Sequence, residues 1–315
     1  MDIKRHQQQL LEAIKETIAE EKHLIICIKE HLSSHPDLED EMLRANNMNI
    51  WTKEKRVALA EAAKEELMLE YKDIPTVVTQ EGWAMSGDVL IHYLQSNLEK
   101  IGNTPLFICP DLLESAENYV NLMSELKDNR CIALSFRGRG SSKFPTTGYS
   151  LEDHISDIAV VVKQLELDQF FLMGYSRGVS YALGYAIQHP EKIKGLIIEE
   201  YPAEHKQMSP GWGKEYILSP LLNEKMWRHA LMGIELESRQ VNYRDDLPKL
   251  DCPTLIMRGE NEGSLLSDDD VKFYVEGLSD ARLEVFNDAG HDIQKDQFYR
   301  FVKVINNFLK EVDKK

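Results

Sequence analysis

The stretch FLMGYSRGVSYALGYA, residues 171–186, decides how this chain is read. An apolar run ends in Gly174-Tyr175-Ser176-Arg177-Gly178, and small residues (Val179, Ala182, Leu183, Ala186) follow at helical spacing. Glycine two before and two after a serine has a steric meaning. A strand that turns sharply into a helix strains the turn residue, and side chains at the flanking positions would clash. The turn lifts the serine hydroxyl above the C-terminal edge of a sheet. It also aims the next backbone N–H, that of Arg177, where an oxyanion would form. A bare G-x-S-x-G often arises by chance in a simple turn. The strand before it and the helix after it favour Ser176 as a nucleophile.

A serine nucleophile needs a base. Of ten histidines, His291 in Asn287-Asp288-Ala289-Gly290-His291-Asp292 is the informative one. It lies after the last strand-like run and before the final helical run, 298–312, so serine precedes histidine in the chain. The third partner is an acid that holds the imidazole. The loop after the strand before last, Arg258-Gly259-Glu260-Asn261-Glu262-Gly263-Ser264, offers Glu262 as the expected acid and Glu260 as its neighbour. Glu200, which follows the strand-like run 195–198, is an alternative at the same sheet edge.

Around these residues the pattern is strand, helix, strand, helix. Expected strands are 106–109, 131–135, 170–173, 195–198, 254–257 and 282–286, with helices between most of them. Ser150 and Asp153 form a capping pair for a helix over 151–165, whose Ile155, Ile158, Val162 and Leu165 share one face. Short apolar strands alternating with helices predict a parallel sheet covered on both sides. Residues 76–79 and 89–94 predict a β-hairpin around Ser86-Gly87-Asp88 that makes one edge mixed. The alternation lapses over 203–250, which reads as a mostly helical insertion with Trp212, Trp227, Met208 and Met226. Residues 1–72 read as a helical extension, with a stripe at Leu11, Ile14, Ile18, Ile25, Ile28 and Leu32. That stripe fits docking on the rest of the chain better than a homodimer seam, because it is short and interrupted by Glu21.

With 315 residues and 43% hydrophobic content, the chain can build one large α/β domain with additions. Lys plus Arg is 37 and Asp plus Glu is 53, a formal charge of −16, which argues against nucleic acid or anionic membrane as partners. No apolar run is long enough for membrane insertion, and no signal-peptide pattern opens the chain. The four cysteines (Cys27, Cys109, Cys131, Cys252) are widely spaced, which fits free thiols in a cytoplasmic protein. No cluster has metal-ligand spacing, and no cofactor motif occurs. The Arg137-Gly138-Arg139-Gly140-Ser141-Ser142 loop lacks P-loop spacing and reads as structural.

Over residues 76–315 the chain resembles the α/β-hydrolase family. Pro105-Leu106-Phe107-Ile108-Cys109-Pro110-Asp111 resembles its oxyanion strand, residues 137–142 its RGxGxS loop, residues 174–178 its nucleophile elbow, and Gly290-His291 its closing motif. The resemblance implies an α/β-hydrolase fold: a mostly parallel sheet flanked by helices over 73–315, with 203–250 as an inserted lid. It also implies a Ser-His-acid triad that cleaves ester-like bonds of a small-molecule acyl substrate. The chain departs from the pattern at Cys109-Pro110, where the family has His-Gly. Proline lacks an N–H, so the second oxyanion donor falls to Asp111 or Leu112, with Asp111 expected. Other departures are glutamate at the expected acid position and the extension before residue 70. Trp212 and Trp227 would line an acyl pocket or pack the lid onto the body. Arg177 would meet a substrate carboxylate or form an exposed salt bridge. The competing functions are an acyltransferase or C–C hydrolase using the same triad, and a non-catalytic sensor or partner-binding protein of the same fold.

Overall fold

In the computed structural model, which describes residues 79–100, 102–214 and 227–314, alternate residues of each central strand feed two separate cores. Phe107, Leu172, Leu196 and Ile198 point to one side; Leu106, Ile108, Met173 and Ile197 point to the other. This follows from the two-residue period of a strand, and a sheet apolar on both faces must be covered on both.

Among the described residues the main sheet has eight strands, ordered β1-β2-β4-β3-β5-β6-β9-β10. Strands β3 (Leu106–Cys109), β4 (Cys131–Ser135), β5 (Phe170–Tyr175), β6 (Ile193–Glu199), β9 (Thr254–Gly259) and β10 (Ala281–Phe286) run parallel. The hairpin β1 (Gln80–Ser86) and β2 (Val89–Ser96) joins antiparallel at the β4 edge. Its turn contains Gly87 at φ +62°, as expected; its first described strand is Gln80–Ser86, and residues 76–78 of the expected strand lie outside the described residues. Residues 80–86 form a half-exposed edge with only Ala84 and Ser86 buried, so the apolar-run criterion passes over them.

Helices α1 (Val120–Glu125) and α7 (Phe298–Asp313) cover one face; α2 (Leu151–Gln164) and α3 (Arg177–Gln188) cover the other. α5 (Asp268–Gly277) and the short α6 (Ile293–Asp296) precede β10 and α7 respectively. The α2 cap forms as expected: Ser150 Oγ accepts from Asp153 N–H at 3.2 Å, and Ser150 N–H donates to Asp153 Oδ2 at 3.0 Å.

Between β6 and β9 the described chain holds α4 (Trp227–Glu237) and a two-stranded ribbon, β7 (Glu204–His205) with β8 (Val241–Asn242). Residues 215–226 of the expected insertion lie outside the described residues. Ala230 and Ile234 of α4 pack with Leu112 and Tyr149, and Met208 and Trp212 lie against the same cluster. The side chain of Trp227 and the whole 1–72 extension, with its docking and homodimer alternatives, lie outside the described residues. No described helix is long and apolar enough to cross a membrane.

Candidate active site

Ser176 sits at the C-terminal end of β5, in the middle of the sheet, with φ +50° and ψ −131°. That left-handed conformation is costly for a residue with a Cβ and persists only where its surroundings enforce it. Here the enforcement is visible. Ser176 N–H donates to Glu199 O at 2.9 Å, and α3 begins at the next residue. A Cβ on Gly174 would lie 2.6 Å from Val179 Cα, and one on Gly178 would lie 2.3 Å from Pro110 O and 2.4 Å from Cys109 O. The second contact matters most. Only a glycine at 178 lets the elbow rest on the turn after β3.

His291 follows β10. Its ring stacks on Tyr175, with centroids 5.2 Å apart and planes at 27°. The Tyr175 hydroxyl donates to Asp292 Oδ1 at 2.8 Å, which pins the histidine loop to the residue preceding Ser176. The loop also approaches β9 closely: a Cβ on Gly259 would lie 2.1 Å from Gly290 O. The His291 side chain is 26% exposed.

The acid beside it is Glu200. Glu200 Oε2 lies 3.5 Å from His291 Nδ1, and the carboxylate is fully buried. Three donors hold it: Gly259 N–H to Oε1 at 2.7 Å, Ser264 Oγ to Oε1 at 2.9 Å, and Leu265 N–H to Oε2 at 2.8 Å. Glu200 has φ +55°, so the residues ending the neighbouring strands β5 and β6 are both left-handed. His291 Nδ1 is buried and makes no full hydrogen bond among the described residues, so a small closure would complete the contact with Glu200. Glu262, the expected acid, and its neighbour Glu260 are exposed, whereas the alternative, Glu200, is the carboxylate that lies beside His291. Their loop turns its backbone N–H groups and Ser264 inward to grip Glu200 and sends its own carboxylates to solvent.

A family model described as alpha/beta hydrolase fold matches residues 104–218. Among solved structures, the α/β hydrolase MGS-M2 from a Medee basin deep-sea metagenome library superposes with a TM-score of 0.64 at 18% identity, covering 73% of this chain and 97% of that one. A thermophilic esterase from Thermogutta terrifontis superposes with a TM-score of 0.61 at 19% identity, covering 74% and 99%. This chain has the α/β-hydrolase fold. Curated relatives of this hydrolase-fold chain include a putative 2-succinyl-6-hydroxy-2,4-cyclohexadiene-1-carboxylate synthase of Bacillus subtilis (strain 168), 23% identical over 243 residues, covering 63% of this chain and 87% of the relative. Another is a 2-hydroxy-6-oxo-2,4-heptadienoate hydrolase of Pseudomonas putida, 23% identical over 234 residues, covering 62% and 84%.

Two buried charged clusters flank Ser176 in this α/β-hydrolase fold. On one side stand Glu199, Glu114, Tyr119 and Tyr175. Burial pushes the Glu199 carboxyl well above the usual carboxylate range, and Glu114 and Glu200 push it the same way. Glu199 Oε2 accepts from Gln294 Nε2 at 3.0 Å, and its Oε1 is buried without a hydrogen-bond partner among the described residues. Burial raises Glu114 to about 7, against a 2.7 Å hydrogen bond from Tyr119 that favours its anion.

On the other side stand Arg137, Arg139, Arg177, His154 and His205. Arg137 grips Asp157 through Nη2 to Oδ1 at 2.6 Å and Nε to Oδ2 at 2.9 Å, which makes the 137–142 loop the structural clamp the sequence suggested. Arg177 is 2% exposed, not at the surface. Its Nη2 donates to His205 Nε2 at 3.0 Å, its Nε to the Tyr181 hydroxyl at 3.2 Å, and its Nη1 faces Met208 Sδ at 3.7 Å. Burial, then the Arg177 charge, lowers His205 to about 3; burial and Arg139 hold His154 well below the usual histidine range.

Proposed function

We propose that this chain is a serine hydrolase that cleaves a carboxylic ester or similar acyl substrate through Ser176, His291 and Glu200. The observation that carries the reading is the pair of left-handed residues closing adjacent strands, with Ser176 on one and Glu200 on the other, and Glu200 meeting His291 Nδ1. Three donors fix Glu200, which would hold the imidazole with its Nε2 turned to the serine. Ser176 Oγ attacks the acyl carbonyl while His291 takes its proton. The oxygen that gains negative charge is held by the N–H groups of Arg177 and Asp111, each worth on the order of 3 kcal/mol to the transition state. His291 then protonates the leaving group; it next takes a proton from a water that attacks the acyl-enzyme carbonyl, and returns that proton to Ser176 Oγ as the Oγ–acyl bond breaks and the acid leaves.

Met208 and Trp212, packed over Leu112 and Tyr149, support a lid role for the 203–250 insertion, with Trp212 at the acyl pocket. Cys109, Cys131 and Cys252 are free, which fits a reducing, cytoplasmic setting.

The test is labelling with a serine-reactive fluorophosphonate. Wild type is expected to label and Ser176→Ala is not. Equal labelling of both proteins, or none of wild type, would overturn the reading.

A further inference from the structure

Arg137 and Arg139 are two residues apart and both are buried, yet among the described residues only one has an acid. Arg137 is chelated by Asp157. Arg139, 1% exposed, donates Nε to Leu112 O at 3.0 Å and Nη1 to Arg137 O at 2.6 Å and to His154 Nε2 at 2.9 Å. Its Nη2 is buried without a hydrogen-bond partner among the described residues. Arg177 is in the same position: Tyr181, Tyr201, His205 and Met208 face it, all of them neutral. A guanidinium keeps its proton inside proteins, and an unpaired buried cation is strongly disfavoured. The two arginines are close enough that the charge of Arg177 bears on Arg139.

The surroundings hold both guanidiniums in place without neutralising them. His154 Nδ1–H reaches Ser150 O at 2.7 Å, so its Nε2 is left to accept from Arg139. His205 Nδ1–H reaches Ser180 Oγ at 2.9 Å, so its Nε2 is left to accept from Arg177. Tyr181 joins the two halves, stacked on His154 at 4.2 Å and accepting from Arg177. Leu112, which accepts from Arg139, and Met208, which faces Arg177, belong to the apolar cluster beneath α4. Arg177 is also the residue next to the nucleophile.

We propose that Arg177 Nη1 and Arg139 Nη2 form an anion site that takes a free carboxylate on the acyl part of the substrate, with that carboxylate displacing the weak thioether acceptor of Met208. One donor from each guanidinium, open on Arg139 and held only by a thioether on Arg177, suits the two oxygens of a carboxylate. The site is a positive island in a chain of formal charge −16, so it selects an anion that the rest of the surface would repel. The proposal rests on the serine-hydrolase reading for its substrate, but not for its binding.

The experiment compares p-nitrophenyl valerate with the mono-p-nitrophenyl ester of glutaric acid, which share a reacting bond and differ in a terminal carboxylate. Glutarate binding to Ser176→Ala is measured alongside by calorimetry. Wild type is expected to favour the glutarate ester in kcat/KM, mainly through KM. That preference should fall by about tenfold or more in Arg177→Gln and in Arg139→Gln, with partial recovery in Arg177→Lys. Glutarate should bind Ser176→Ala and lose affinity when Arg177→Gln is added. If valerate is hydrolysed while glutarate neither binds nor competes in wild type, the anion site is wrong and the hydrolase reading stands. If neither ester is hydrolysed but glutarate binds in an arginine-dependent way, the anion site stands and the hydrolase reading falls. Should Arg177→Gln fail to fold, Arg139→Gln and glutarate competition in wild type still decide.

Discussion

The two charged clusters beside Ser176 solve the same problem in opposite ways. Glu199 and Glu114 are buried acids, and burial moves both toward the neutral, protonated form. A carboxyl can escape the cost of burial by taking up a proton. Arginine has no such escape. Arg137 solves the problem with Asp157, but among the described residues Arg139 and Arg177 keep their charge beside neutral partners and neutral histidines. The lesson concerns where function is to be sought. A buried acid without a partner needs no ligand to explain it, whereas a buried arginine without an acid does.

The contrast can be broken most forcefully at the arginines. Arg137→Met leaves Asp157 buried and unpaired, and should cost about 3–5 kcal/mol of unfolding free energy. Arg139→Met strands no acid and should cost clearly less in the same denaturant titration. Equal losses would mean that Arg139 has an acid partner after all.

The pH dependence should separate the clusters by sign. Glu114 is raised from 4.5 to about 7, so between those values the folded state binds more protons than the unfolded chain, and its contribution declines as pH rises. His205 is lowered from 6.5 to about 3, so its contribution is complete above 6.5 and declines as pH falls toward 3. The two trends oppose each other between about 4.5 and 6.5. Glu114→Gln should therefore make stability rise more steeply with pH in that window, and His205→Asn should make it rise less or fall. Identical pH curves for either variant and wild type would contradict the assignment.

Smaller effects are expected at the strained and protonated residues. Ser176→Gly relieves the left-handed serine and should raise stability by about 1 kcal/mol while removing the proposed nucleophile. Glu199→Gln replaces one neutral group with another of similar shape and should change stability by less than about 1 kcal/mol. A large loss would show Glu199 to be ionised.

Much of this was legible in the sequence because it depends on local sterics. The glycines at 174 and 178, the capping pair at 150 and 153, and the alternation along the strands each encode their structure within a few residues. The acid was not legible, because Glu200 and Glu262 differ in neither composition nor proximity to a strand end. What separates them is a left-handed backbone at Glu200 and a loop, 259–265, that folds its N–H groups over it. Arginine is usually exposed, so the burial of Arg177 had no local signal either. It follows from Tyr181, one turn along the same helix, and from His205 arriving on β7.

The adjacent carboxyls Glu199 and Glu200 thus take different roles, and the central claim rests on the second. The most direct measurement is turnover of a p-nitrophenyl ester by Glu200→Gln and Glu262→Gln, with folding of each checked by circular dichroism. The account predicts that Glu200→Gln loses on the order of a thousandfold or more in kcat while Glu262→Gln stays near wild type. Collapse in Glu262→Gln with near-normal turnover in Glu200→Gln would contradict it.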